Sequence, residues 1–350
     1  MDRAGGLPDL YRVTRSRRNV AWTGGGALVA VAVLAMLPYI FYAGTTDLLV
    51  QSAIVLILAS MWNLLAGYGG LVSVGQQAFV GLGAYFVLLL NIHGVSMFSA
   101  VPVAAIACGV AAVPLWWLVA RLRSGYFAIG TWVLATAVML VIEKFPSLGG
   151  GTGMALPNTP NMSVALLKAW TYWIALAATV VALGTVYLLL RGRLGLTLTA
   201  IRDDEVAARS SGVRVGAARM LVFVVAGVGC GAAGALLAID TPYVQPGEAF
   251  TVLWTAKAAF AVIIGGLGTI EGPILGTVVY MVLQQSLASH GAWYFIVLGV
   301  VAIAVVLLTP RGLWGQADER LHLRLFPVGY WLWTPDALAG RKRWLRRAPE

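Results

Sequence analysis

The chain has 350 residues, of which 60% are hydrophobic and 11% charged, with a mean hydropathy of +0.85; a soluble domain carries about 25% charged residues. That surface excludes a water-soluble globular protein and points to one membrane-embedded domain, not to the two soluble domains that length alone suggests. The formal charge of +10 does not signal nucleic-acid binding, because the Lys and Arg residues sit at the ends of apolar segments and in two tails.

A helix that crosses the hydrocarbon needs about 20 apolar residues, since each unsatisfied backbone group in lipid costs several kcal/mol. In chain order, such segments fall near 21–43, 47–66, 72–91, 97–120, 126–145, 166–190, 219–239, 250–267, 272–288 and 292–309. The predicted fold is all-α: a polytopic integral membrane helical bundle of eight to ten transmembrane helices. Glycines, Pro273 and Glu271 interrupt 250–288, where a re-entrant segment is the alternative. Residues 1–20 read as a basic tail, 21–310 as the transmembrane domain and 311–350 as a second basic tail. The first apolar run exceeds the usual signal-peptide length and ends in Leu37-Pro38-Tyr39 instead of a small-residue cleavage site, so it reads as an uncleaved span.

Charge fixes the expected orientation. Arg3, Arg12, Arg15, Arg17 and Arg18, then Arg121 and Arg123, then six arginines in the loop 191–219, then eight basic residues in the last tail all fall on one side. The positive-inside rule makes that side cytoplasmic, and both termini with it. Lys144, Lys168 and Lys257 fall on or near the opposite side.

Nothing in the chain suggests chemistry of its own. Cys108 and Cys230 lie in apolar runs, where a thiol behaves as a small hydrophobe. His93, His290 and His322 are scattered over different loops, and neither a metal-ligand spacing nor a nucleophile elbow occurs. No metal, cofactor or catalytic residue is expected.

The central loop 191–219 is the longest polar interruption between spans. Its run Leu198–Ser211 lacks Pro and Gly and ends at Gly212, which predicts one short helix with a left-handed stop. Leu198, Ile201, Ala208 and Val213 would form an apolar strip, leaving Arg202, Asp203, Glu205 and Arg209 to water or to a partner.

From this loop a resemblance begins. Glu205, Ala207, Ala208 and Gly212 look like the cytoplasmic coupling loop of ABC importer permeases, with Val206 inserted between the acid and the alanine pair. The wider stretch 200–238 resembles permeases of the branched-chain amino acid uptake family, in their LivM-like subunit. Three further segments resemble the same family in order: Asn63–Gly70 leading into Ser73, Gly75, Gln76, Gln77, Ala78, Phe79, Gly81, Gly83, Ala84 and Tyr85; the glycine-rich Gly149–Gly153; and Ile264–Pro273, followed by Pro310–Gly315. Relatives carrying urea or other amides share much of this pattern.

The resemblance implies the membrane-spanning subunit of an ABC importer in the bacterial plasma membrane, for branched-chain or other hydrophobic amino acids, with urea or another small polar solute as the alternative. It implies four kinds of contact: a LivH-like second permease, two ATP-binding cassette subunits that bind ATP and Mg, an extracytoplasmic solute-binding protein, and the lipid bilayer. Arg202, Asp203, Glu205, Ala207, Ala208 and Gly212 become candidates for coupling to the ATPases. The candidate substrate path holds Asn63, Gln76, Gln77, Phe79, Gly81, Gly83, Tyr85, Gly265, Gly266, Gly268 and Glu271. Gln76 and Gln77 could meet a carboxylate and an ammonium, or lie at an interface where water serves them. Gly150, Gly151, Thr152 and Gly153 are candidates for contact with the receptor, or a flexible connection; no Lys-Ser or Lys-Thr follows, so they are not a phosphate loop. Lys257 and Glu271 are the charges deepest in apolar sequence, either functional, paired with each other or snorkelling. A stand-alone channel or secondary carrier is the alternative from another class.

Overall fold

The computed structural model describes residues 43–122, 125–287, 293–309 and 312–321, most of 25–38, and the stretches 12–14 and 331–333. Most of both basic tails, with Arg123 and the cluster 341–347, lies outside these residues.

The bundle is built from α1 (Ala43–Asn63), which runs into a π-helical turn Leu64–Tyr68, α2 (Gln77–Ile92), α3 (Met97–Val119), α4 (Gly125–Ile142) and α5 (Val164–Arg191). Two short helices, α6 (Arg193–Asp203) and α7 (Glu205–Ser210), lead into α8 (Val215–Asp240). The chain continues through α9 (Pro246–Ala249), α10 (Leu253–Gly265), α11 (Glu271–Leu287), α12 (Trp293–Leu308) and α13 (Gly312–Leu321). Four short strands accompany them: β1 (Arg12–Thr14) pairs with β4 (Trp331–Trp333), and β2 (Met154–Ala155) with β3 (Tyr243–Val244). It is an all-α polytopic membrane bundle.

Every predicted span from 47–66 onward coincides with a helix, but not always with a full-length one. Among the described residues six helical stretches are long and apolar enough to cross a membrane, while Gln77–Ile92 and Ile296–Val305 are shorter. The predicted span 72–91 starts late because residues 69–76 form no helix.

The glycine-rich α8 is the axis of the bundle, 72% of its most apolar window being buried against 17% for α4. It packs on α3, α2 and α1; α1 in turn packs on α5 and α10, and α10 pairs with α11. Small residues make this approach close. A Cβ on Gly83 would strike the Gly231 carbonyl, and one on Gly234 the Val80 carbonyl, the small-residue packing that dispersion between membrane helices requires. The outward faces of α3 and α4 carry Ile106, Val110, Trp117, Ile129 and Trp132, exposed as a lipid-facing surface should be.

Two ends can be told apart. One carries α6 and α7, the π turn, the turn between α10 and α11, and the start of α13; it is the loop end. The other carries residues 145–163 and 241–252 and is the glycine end. Phe79 meets Gly227 and Val80 meets Gly234, so α2 begins beside the middle of α8 and runs toward the glycine end.

Candidate functional site

At the loop end the predicted single helix over 198–211 is two helices. Asp204 is extended (φ −156°, ψ 109°), and its Oδ1 accepts hydrogen bonds from the amides of Val206 at 2.8 Å and Ala207 at 3.0 Å. The aspartate satisfies the first free amides of a new helix, so the chain turns there instead of continuing. Gly212 closes α7 in the left-handed region, φ +82°. The apolar residues are buried but not as one strip: Leu198 joins the main core, while Ile201 and Ala208 pack with Val213, Val215 and Ala218 in a separate cluster.

The charged face differs from expectation. Glu205 turns back on the protein, bonding Arg209 Nη2 at 2.6 Å and Arg219 Nη2 at 2.9 Å, which fixes α7 to the second turn of α8. Burial works against its charge, but the two guanidinium groups prevail and hold the Glu205 carboxyl below its ordinary range, so it is ionised at neutral pH. Val206, Asp203 and Arg209 are left outward. Arg202 stays half-exposed, its side chain 47% accessible, but its Nη1 reaches the π turn and donates to the Gly67 carbonyl at 3.0 Å.

Gly67 belongs to the π turn, where Gly69 N bonds Leu64 O and Leu71 N bonds Leu65 O. In a continued α-helix Leu71 would serve Gly67; here that carbonyl is left for Arg202. Asn63 completes the junction, accepting from Gly268 N at 2.8 Å and donating to the Thr269 carbonyl at 2.7 Å. Gly268 adopts φ +77° and Gly266 φ +135°, so the α10–α11 turn depends on glycine at both positions. Gly265 packs on Gly272, Gly312 packs on Gly266, and Glu271 opens α11 in a buried position. Gly67 and Gly268 thus belong to one junction in space.

Residues 69–76 climb from this junction as irregular backbone, tolerated at membrane depth only where protein or water covers it. Trp62 Nε1 bonds the Ser73 carbonyl at 2.9 Å and Val74 N bonds Thr131 Oγ1 at 3.1 Å. Gln76 and Gln77 are 2% and 1% exposed, so neither lies at an interface served by water. Gln77 Oε1 accepts from Thr255 Oγ1 at 2.5 Å, which brings the first turns of α2 and α10 together beside the middle of α8. The Gln76 amide meets no protein partner among the described residues. Phe79 joins Phe223, Trp116 and Phe127 in an aromatic cluster. Gly81 receives the Phe250 ring and Gly83 the α8 backbone, so both glycines serve close approach along an unbroken α2. Tyr85 is buried beside Phe250, with ring centroids 6.0 Å apart.

Above this level a cavity of about 360 Å³ opens at the glycine end, lined by Ala84, Thr241, Gln245, Glu248, Trp254 and Lys257 among others. Lys257 Nζ lies 4.3 Å from the Trp254 ring centroid. A Lys257–Glu271 pair is not formed, because Gly265 lies against Gly272 and Ala261 against Gly276; that register puts Lys257 and Glu271 at opposite ends of α10, about 12 Å apart along its axis. None of the candidate path residues lines this cavity, and of the residues that the sequence singled out only Lys257 and Ala84 do; its other walls come from chain reversals whose partners are distant in sequence.

The glycine-rich segment is an ordered cap. Gly149 and Gly153 have φ of +86° and +83°, Thr152 Oγ1 bonds the Gly149 carbonyl, and Tyr243 Oη bonds the Thr152 carbonyl. Met154 pairs with Val244 and Ala155 with Tyr243, and Asn91 and Asn158 exchange three hydrogen bonds. Gly151 and Thr152 stay exposed at its tip, beside Gly150.

The family model described as branched-chain amino acid transport system / permease component matches residues 44–306, the whole stretch from α1 to the last span. The chain belongs to this permease family. Among its relatives is the high-affinity branched-chain amino acid transport system permease protein LivM of Escherichia coli, 28% identical over 325 residues, which cover 85% of this permease and 76% of that protein. The LivM of Salmonella typhimurium is 26% identical over the same shares. The autoinducer 2 import system permease protein LsrC of an Enterobacter species is 27% identical, over 69% of this permease and 78% of its own length. No solved structure matches the chain. The permease is thus a LivM-like component of an ABC importer and a multi-pass protein of the bacterial inner membrane.

Proposed function

We propose that the permease is one half of the pore of an importer for branched-chain or other hydrophobic amino acids, with its loop end and both termini in the cytoplasm. The observation that carries the reading is the α6–α7 pair: a two-helix knuckle, ion-paired to α8 through Glu205 and Arg219, in a chain whose family consists of permease components. Two ATP-binding cassette subunits would bind ATP and Mg and push on this knuckle, a LivH-like permease would complete the pore, and an extracytoplasmic solute-binding protein would deliver cargo at the glycine end. Val206, Asp203 and Arg209 form the outward face offered to the ATPases. Cargo would enter by the cavity near Lys257 and Trp254 and pass the Gln77–Thr255 pair, where amide groups suit a zwitterion, as the Gln76 amide does. Alternating access follows if the knuckle tilts α8 and the short α2 packed on it.

The relatives do not all share one cargo: beside the LivM proteins stand LsrC and a galactose/methyl galactoside import permease protein, MglC, of Haemophilus influenzae, 25% identical. Uptake of labelled leucine, competed by isoleucine, urea and galactose, separates the readings; competition by isoleucine alone is expected, and competition by urea or galactose alone would replace the cargo. For the knuckle, Glu205→Lys and Gly212→Leu are expected to abolish co-purification of the ATPase subunits and substrate-stimulated hydrolysis. Glu205→Lys sets three cations together, and Gly212→Leu forces a left-handed backbone on a side chain, at about 1–2 kcal/mol. Normal assembly and normal stimulation in both variants would remove the coupling role.

A further inference from the structure

The geometry points to Arg202 as a positioning residue that carries motion of the knuckle into the pore, not as a contact for the ATPase. This inference rests on the importer reading. Arg202 lies on the last turn of α6, and its half-exposed guanidinium spans two sides: Nε is 3.9 Å from the outward Asp203 Oδ1, while Nη1 reaches in to the Gly67 carbonyl. That carbonyl is available because the π turn diverts Leu71 N to Leu65. A Cβ on Gly268 would lie 2.9 Å from Arg202 Nη1 and 3.3 Å from the Gly67 oxygen, so the guanidinium, the end of α1 and the α10–α11 turn meet at one point. Asn63 clamps the last two through Gly268 and Thr269.

Three properties suit this junction to transmission. A charge-assisted hydrogen bond to a carbonyl is stronger than a neutral one and fixes direction as well as distance. α6 also packs on the π turn, so displacement of the helix cannot be taken up by loop backbone alone. The turn it reaches joins α10 and α11, the first of which carries Thr255 and Lys257 at its far end. Movement of Arg202 would therefore reposition both the end of α1 and the wall of the substrate cavity.

The test uses the full transporter complex reconstituted in lipid with its binding protein, carrying Arg202→Met, Arg202→Lys or Asn63→Ala. The expected result is uncoupling: ATPase subunits co-purify as in the parent, hydrolysis continues without stimulation by loaded binding protein, and leucine uptake per ATP falls at least about tenfold, the scale of one lost charged hydrogen bond. Asn63→Ala should share the phenotype, and the Arg202→Met, Asn63→Ala double variant should be no worse than either alone. Arg202→Met that loses the ATPase subunits would make Arg202 a docking residue, and stimulated hydrolysis with full uptake would leave it no role; either overturns the inference. Should Arg202→Met fail to insert, Arg202→Lys and Asn63→Ala decide by the same readouts. Failure of the importer reading is seen separately, as unstimulated hydrolysis or absent ATPase subunits in the parent complex.

Discussion

Gly234 and Gly184 are the same residue type in long helices, α8 and α5, and the structure gives them opposite consequences. A methyl group on Gly234 would collide with the Val80 carbonyl, whereas one on Gly184 meets nothing within 4 Å. Gly184→Ala is expected to raise stability by up to about 1 kcal/mol through reduced backbone entropy. Gly234→Ala must push α2 away from α8 and is expected to cost about 1–3 kcal/mol. Thermal unfolding of the purified variants in one detergent checks the pair: melting temperatures that shift the same way would refute the close approach of α2 and α8. Residue type alone marks α8 as a packing helix through its run of small residues, but which glycine is indispensable depends on what stands opposite. The same holds for Gln77. Its polarity is visible in the sequence; its partner Thr255 is 178 positions away.

At the scale of elements, the knuckle shows how one side chain redirects a helix. Leu198–Ser211 contains neither proline nor glycine and reads as continuous, but the Asp204 carboxylate captures two amides and starts a second helix. An aspartate ahead of Glu205-Val206-Ala207 is itself a helix-start signal, so the break was legible in principle and was outweighed by helix propensity. Asp204→Ala removes a cap worth about 1 kcal/mol and favours one straight helix. Spin labels at Thr197 and Ser210 are expected to move apart toward about 20 Å, the span of 13 helical residues, while Asp204→Asn should keep the parent distance. An unchanged distance in Asp204→Ala would show that packing of Ile201 and Ala208 alone sets the bend.

For the whole molecule, orientation in the membrane has a direct measurement. The native Cys108 and Cys230 are buried, so single cysteines introduced at exposed Thr152 and Ser211 can be probed against a low background. A membrane-impermeant thiol reagent is expected to label the Thr152→Cys variant in intact cells and the Ser211→Cys variant only after permeabilisation. The reverse pattern would invert the pore and place the knuckle where no ATP exists.

The all-α membrane class, the succession of apolar segments and the family resemblance were set by composition and short-range spacing, because lipid imposes a length and a polarity on each segment independently of its neighbours. The arrest of α2 halfway along α8, the union of Gly67, Gly268 and Arg202, the separation of Lys257 from Glu271 and the walls of the cavity were decided by the tertiary structure. Each depends on which helix lies opposite, a pairing between residues far apart in the chain that no local pattern of hydrophobicity encodes.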